Sequence, residues 1–172
     1  MGEEKKAAPT VGIVMGSDSD LPVMEDAVSV LKEAGVSYEV RILSAHRAPE
    51  ETAAFGKQAA AQGFKVLIAG AGGAAHLAGV LAAHTILPVI GVPLDAGGFH
   101  GLDSFLSTLQ MPPGVPVATV AIGKWGARNA GILAIQILAL NDPRLETFLK
   151  GFKVKLQQAV LEKDRQVRQS RG

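Results

Sequence analysis

Short β-prone apolar runs alternate with stretches of helical spacing along most of this chain, and that alternation leaves few folds open to it. Val11–Met15 reads as a strand, and residues 21–34 carry Val23, Ala27, Val30 and Leu31 at helical spacing before Gly35 stops them. The unit then repeats. Residues 38–43, 66–69 and 89–92 read as strands, and residues 49–61 and 74–84 as the helices between them. After a Gly-rich stretch at 96–101, a short helix is expected from Asp103, a strand at 117–120 and a helix over 127–140. Strands separated by helices require right-handed crossovers, so we expect a doubly wound α/β fold, a parallel sheet of about five strands covered on both faces.

Residues 143–168 read as a long C-terminal helix with Leu145, Phe148, Leu149, Phe152, Leu156 and Val160 towards one side. That is more apolar surface than a small closed domain needs, so this helix is expected to pack on its own domain or on a neighbouring subunit. The organisation expected is a disordered segment over residues 1–9, a catalytic domain over 10–141 and the helical tail over 142–172.

Composition narrows the function. A formal net charge of +1 attracts no polyanion, which argues against a nucleic-acid partner. The chain has no cysteine, which removes thiolate nucleophiles and cysteine-ligated metals, and only four histidines remain for imidazole chemistry. The polar N-terminus has no apolar signal core, and no uninterrupted apolar run reaches a membrane-spanning length, so a cytoplasmic setting and no membrane partner are expected.

In an open α/β sheet, ligands bind beyond the carboxyl ends of the strands. Three loops fall there. Gly16-Ser17-Asp18-Ser19-Asp20 leads into a helix N-terminus, where free N–H groups and serine hydroxyls suit a phosphate and Asp20 suits ribose hydroxyls. Ordinary helix capping needs one such residue, and this loop has four. Ser44-Ala45-His46-Arg47 ends the second strand; Arg47 offers fixed planar donors to a phosphate, and His46 is the candidate general acid and base. The third loop, Gly70-Ala71-Gly72-Gly73-Ala74-Ala75-His76, is almost free of side chains and lets backbone N–H groups approach a ligand closely.

That third loop matches neither the dinucleotide fingerprint nor the phosphate-binding loop of nucleoside triphosphatases. His76 reads as a structural histidine that orients the loop, His84 as structural within the body of an apolar helix, and the role of His100 stays open. No metal-ligand spacing and no G-x-S-x-G elbow occurs, so neither a metal nor a hydrolase triad is expected.

Taken together, the motifs Met15-Gly16-Ser17-Asp18-Ser19-Asp20, Ser44-Ala45-His46-Arg47, residues 69–77 and Gln110-Met111-Pro112 with Gly114-Val115-Pro116-Val117 resemble those of the N5-carboxyaminoimidazole ribonucleotide mutases. Ala121-Ile122-Gly123 and Gly126-Ala127-Arg128-Asn129-Ala130 extend the likeness. The resemblance implies a flavodoxin-like three-layer subunit, a homo-octamer, no cofactor or metal, and interconversion of N5-carboxyaminoimidazole ribonucleotide and 4-carboxy-5-aminoimidazole ribonucleotide. It implies that Ser17, Ser19 and Arg47 hold the phosphate and Asp20 the ribose, with Asp18 and Ser44 lining the same site. Gly70, Ala71, Gly72, Gly73 and Ala74 would confine the carboxylate or carbon dioxide, with His76 and Leu77 beside them, and His46 would carry the proton. It also implies an ATP-dependent synthetase elsewhere to supply the substrate.

Two positions depart from the family pattern: Ala78 where proline is usual, and Leu94-Asp95-Ala96-Gly97-Gly98-Phe99 where a serine and a leucine are more familiar. The alternatives are the related carboxylase that uses carbon dioxide directly, a non-catalytic nucleotide-binding module, and a flavin-binding carrier, for which the aromatic flanks are few.

Overall fold

The structure is a computed structural model and describes residues 9–171. All of the N-terminal segment expected to be disordered, apart from Pro9, lies outside the described residues.

Five parallel strands form one sheet: β1 (Val11–Met15), β2 (Tyr38–Ile42), β3 (Val66–Gly72), β4 (Val89–Leu94) and β5 (Ala118–Thr119), in the order β2-β1-β3-β4-β5. The chain runs from β1 outward to β2, then returns past β1 to β3. The order therefore reverses beside β1, which opens a crevice at the carboxyl ends of β1 and β3. The connecting helices are α1 (Leu21–Glu33), α2 (Pro49–Ala59), α3 (His76–His84), α4 (Leu102–Leu109) and α5 (Gly123–Ala139), and α6 (Pro143–Arg171) is the long C-terminal helix. Helices cover both faces of the sheet, and the fold is flavodoxin-like.

The central strands are apolar along their whole length because both faces are covered: every residue of β1 and β4 is buried. On one face Val14, Leu67 and Ala69 meet Phe55 and Ala59 of α2 and Leu77 and Leu81 of α3. On the other, Gly131 of α5 fits against Ala27 and Val30 of α1, where a Cβ would lie 3.0 Å from the Ala27 carbonyl oxygen. Each of these helices begins where its sequence allows. Pro49 opens α2 with its φ already set, and α1 has proline in its first turn.

Several boundaries differ from those read in the sequence. β3 extends through Gly70, Ala71 and Gly72, so the glycines taken as loop are largely strand, and α3 starts at His76 rather than at residue 74. The reason is close packing: a Cβ on Gly70 would lie 2.5 Å from Met24 Sδ, and one on Gly72 would lie 2.7 Å from Ala96 Cβ. His84 ends α3 rather than sitting in its body, and α5 begins at Gly123, one turn before its apolar periodicity.

Two compact units divide the chain at 134/135, within α5. The first holds the sheet. The second comprises the end of α5 together with α6, in which Leu145 is buried and every residue from 153 to 171 is exposed.

Candidate active site

The loops that follow β1, β2, β3 and β4 converge on one cavity of about 340 Å³, within the usual size range of small-ligand sites. Its walls carry Gly16, Ser17, Ser19 and Asp20 from the first loop, Ser44 to Arg47 from the second, Ala71, Gly72, Ala75, His76 and Leu77 from the third, and Ala96 after β4. A second cavity of about 400 Å³ lies across Arg47 and adds Asp18, Ile42 and Ala48.

The first loop folds on itself. Ser17 caps the short 3-10 turn Asp18–Asp20: its backbone N–H donates to Asp20 Oδ2 at 3.1 Å, and its hydroxyl accepts from the Ser19 N–H at 3.4 Å. The Ser19 hydroxyl reaches Ser17 Oγ at 3.0 Å, and Asp18 Oδ1 accepts from the Ser19 N–H at 3.0 Å. Capping thus uses Ser17 and Asp20, while the hydroxyls remain at an exposed edge where a ligand can compete for them. Burial pushes the Asp20 carboxyl above its ordinary value, opposed by the Ser17 and Gly16 backbone and by the Arg47 charge.

Arg47 ties the second loop to the first. Its Nη2 donates to the Gly16 carbonyl at 2.6 Å, and its Nε and backbone N–H both reach Ser44 Oγ, at 3.3 and 3.2 Å. This holds the guanidinium at the mouth beside Ser17. A cation with several N–H groups next to two hydroxyls is suited to a phosphate.

His46, exposed like Arg47, meets His76 from the other side of β1. His46 Nε2 and His76 Nδ1 are 2.6 Å apart with the rings nearly perpendicular, at 80°. One hydrogen lies between them, one ring donating and the other accepting, which leaves His46 Nδ1 and His76 Nε2 as the outer nitrogens of the pair. No local pattern signals this contact between residues 30 positions apart. His76 is therefore an exposed partner of the candidate catalytic imidazole and more than a support for its own loop.

Of the residues singled out in the sequence, Ser17, Ser19, Asp20, Ser44, His46, Arg47, Ala71, Gly72, His76 and Leu77 line the main cavity, and Asp18 lines the adjoining one. Gly70, Gly73 and Ala74 do not. Gly70 faces Met24, and Gly73 makes the turn out of β3 at φ +61°. Gly16, Ala45 and Ala75 belong to the three loops read in the sequence without a role of their own, and Ala96 lies outside them. Ala75 adopts a left-handed conformation with φ 50°, rare for a residue with a Cβ, and no sequence signal marks it. Among the described residues no group of three or more histidine, cysteine, aspartate or glutamate side chains is placed to hold a metal ion, and no helix is long and apolar enough to cross a membrane.

A parallel flavodoxin-like sheet that gathers two serines, an arginine and an imidazole in a cavity at its switch point is the arrangement of an α/β protein with a small-ligand site. Comparison with known proteins makes this specific: the AIR carboxylase family matches residues 10–159, and the chain belongs to that family. It is 52% identical over 159 residues to the N5-carboxyaminoimidazole ribonucleotide mutase of Pyrococcus horikoshii, covering 92% of this chain and 89% of that one. The mutase of the same name from Thermotoga maritima is 52% identical over 161 residues, covering 94% and 93%. The crystal structure of Treponema denticola PurE superposes with a TM-score of 0.82 at 31% identity, covering 92% of this chain and 98% of the other.

Proposed function

We propose that this enzyme is an isomerase that interconverts N5-carboxyaminoimidazole ribonucleotide and 4-carboxy-5-aminoimidazole ribonucleotide, a step of purine biosynthesis. The observation that carries the reading is the placement of His46 in one cavity with Ser17, Ser19 and Arg47. The name shared by relatives about half identical over most of the chain supports the same reaction.

In the reading we favour, Arg47 and the hydroxyls of Ser17 and Ser19 take the phosphate and Asp20 the ribose hydroxyls, which brings the imidazole ring of the substrate towards His46. The N–C bond of the carbamate breaks and carbon dioxide leaves with both its oxygens. The bonding pair stays on nitrogen, which takes a proton from His46. The ring carbon then attacks the carbon dioxide, and His46, now neutral, removes the proton from that carbon. One imidazole serves both steps because it gives and accepts a proton near neutral pH. Ala71, Gly72 and Ala96 present little beyond backbone and methyl groups, so a small neutral molecule is retained there without a competing nucleophile.

We also read the protein as a cytoplasmic homo-oligomer, an octamer by resemblance, supplied by an ATP-dependent synthetase. Ile86, Phe99 and Trp125, exposed at 94%, 72% and 83% in the single chain, support association. The direct carboxylase is the second reading, since the family description itself names a carboxylase.

The deciding experiment supplies the enzyme with N5-carboxyaminoimidazole ribonucleotide in one assay and aminoimidazole ribonucleotide plus bicarbonate in another, each against an enzyme-free control. Fast conversion of the first alone is the expected result. Efficient use of the second would place the protein with the carboxylases, and turnover of neither would leave a binding module.

A further inference from the structure

The segment that leaves β4 is fixed at both ends and free between them. Leu94 and Gly101 are buried, and a Cβ on Gly101 would lie 2.6 Å from Ile122 Cγ2, so that end is tightly packed. The buried hydroxyl of Ser104 clamps the two ends together, its one hydrogen shared between the carbonyl oxygens of Leu94 at 2.8 Å and Gly101 at 2.9 Å. Residues 95–100 between them are all exposed. Among the described residues their hydrogen bonds close locally. The Gly97 N–H donates to Asp95 Oδ1 at 2.9 Å, the Phe99 and His100 N–H groups to the Gly97 carbonyl, and the Leu102 N–H to the Phe99 carbonyl.

The middle of the segment is built to turn. Gly97 and Gly98 stand at φ 122° and 29°, and nothing lies within 4 Å of where a Cβ on either would be. Adjacent glycines without neighbours change φ and ψ at the least steric cost. Just before the pair, Ala96 lines the main cavity; just after it, Phe99 holds its ring 72% exposed. Three extended residues span at most about 11 Å, so the ring stays close to the cavity mouth. An aromatic ring left in water beside an open pocket gains by covering apolar surface.

We propose that residues 96–100 are a lid, which turns about Gly97-Gly98 and lays Phe99 over the cavity mouth when the nucleotide is bound. Its purpose rests on the mutase reading. Carbon dioxide cut from the carbamate must wait for attack by the ring carbon, and a cavity whose His46 and Arg47 are exposed does not hold it. Closure retains the gas and excludes water while neither carbon bond exists.

Two measurements on the full-length protein test the lid, the first without turnover. Trp125 is the single tryptophan, so Trp125→Phe combined with Phe99→Trp moves the only indole to the lid. Saturating aminoimidazole ribonucleotide, its binding checked by calorimetry, should shift that emission to the blue and protect it from acrylamide, while the parent's Trp125 emission is unchanged. Bound nucleotide without the shift overturns the lid and leaves the mutase reading standing; absence of binding overturns the lid together with the nucleotide site. Emission already blue before nucleotide, with a lower native mass for Phe99→Ala, means that the ring packs on a neighbouring copy, and the lid falls. In the second measurement N5-carboxyaminoimidazole ribonucleotide is converted with carbonic anhydrase present to sweep up escaped carbon dioxide. Phe99→Ala should raise the aminoimidazole ribonucleotide released per product formed by at least about tenfold. Release equal to the parent's overturns the lid. A parent that converts none of the carbamate removes the mutase reading, and the emission still decides the lid.

Discussion

The two sides of the cavity are built on opposite plans. The side formed after β1 and β2 is dense with polar side chains that bond one another: Ser17, Ser19 and Asp20 in the turn, and Arg47 bridging to Gly16 and Ser44. The side after β4 offers the cavity only Ala96. Beyond it Gly97, Gly98, His100 and Gly101 all have positive φ, with the Asp95 carboxylate accepting from the Gly97 N–H and standing 3.7 Å from His100 Nδ1. The lesson is a division of labour. Preorganised donors cost little to align when a charged ligand arrives, so in the proposed reaction the first side would take the charge and the second would set shape.

The largest effect should come from His46, which belongs to the polar side and is the proposed proton carrier there. His46→Asn keeps a side chain of similar reach and loses the proton carrier, so turnover should fall by about 10²–10⁴ with nucleotide affinity nearly intact. Steady-state rates and equilibrium binding of the nucleotide separate the two. A variant that turns over normally would remove His46 from the mechanism.

Arg47→Ala comes next. Loss of a charge-assisted pair typically costs about 1.5–3 kcal/mol, so affinity for the nucleotide should weaken roughly 10- to 100-fold. Binding measured by calorimetry with the nucleotide and with its dephosphorylated nucleoside provides the check: the loss should vanish for the nucleoside. Equal loss for both would mean that Arg47 acts by bracing the Gly16 loop.

The bare side is broken differently, by adding bulk. Gly72→Ala introduces a methyl 2.7 Å from Ala96 Cβ and 3.2 Å from the Leu94 carbonyl oxygen. Neither neighbour is a flexible side chain, so overpacking should cost about 1–3 kcal/mol in urea denaturation. Turnover should drop as the β4 side is displaced. Unchanged stability would show that the Ala96 segment yields freely.

The same contrast explains what the sequence made legible. Polar loops announce themselves by residue type, so Ser17, Asp20, His46 and Arg47 could be named before their positions were known. Strand and helix alternation likewise showed through, because burial on both faces requires unbroken apolar runs such as Val11–Met15. The bare side was illegible. Alanine carries no chemical mark, so Ala96 was invisible and Ala75 stood out only as part of its loop, and Gly70 and Gly72 read as loop because a glycine needed for close packing in a strand looks like one needed for a turn. The His46–His76 contact depends on β1 lying between β2 and β3, which no local pattern contains.

The smallest expected effect tests how much the polar side gives up for its order. Burial raises the Asp20 carboxyl above its ordinary value of 3.8, so between the unfolded and folded values the native state holds more of the proton. The sign follows by linkage: the contribution of Asp20 to stability is greatest below the unfolded value and declines as pH rises through the folded one. At neutral pH the ionised carboxylate is therefore a modest liability, reduced by its access to solvent and by the nearby Arg47. Asp20→Asn retains an acceptor for the Ser17 N–H and removes the titration. The urea midpoint of the variant relative to the parent should then rise from pH 3 to pH 7, with the variant equal or slightly more stable at pH 7. A variant clearly weaker at pH 7 would mean that the charged form is the better cap, and that the polar side is organised at no cost in stability.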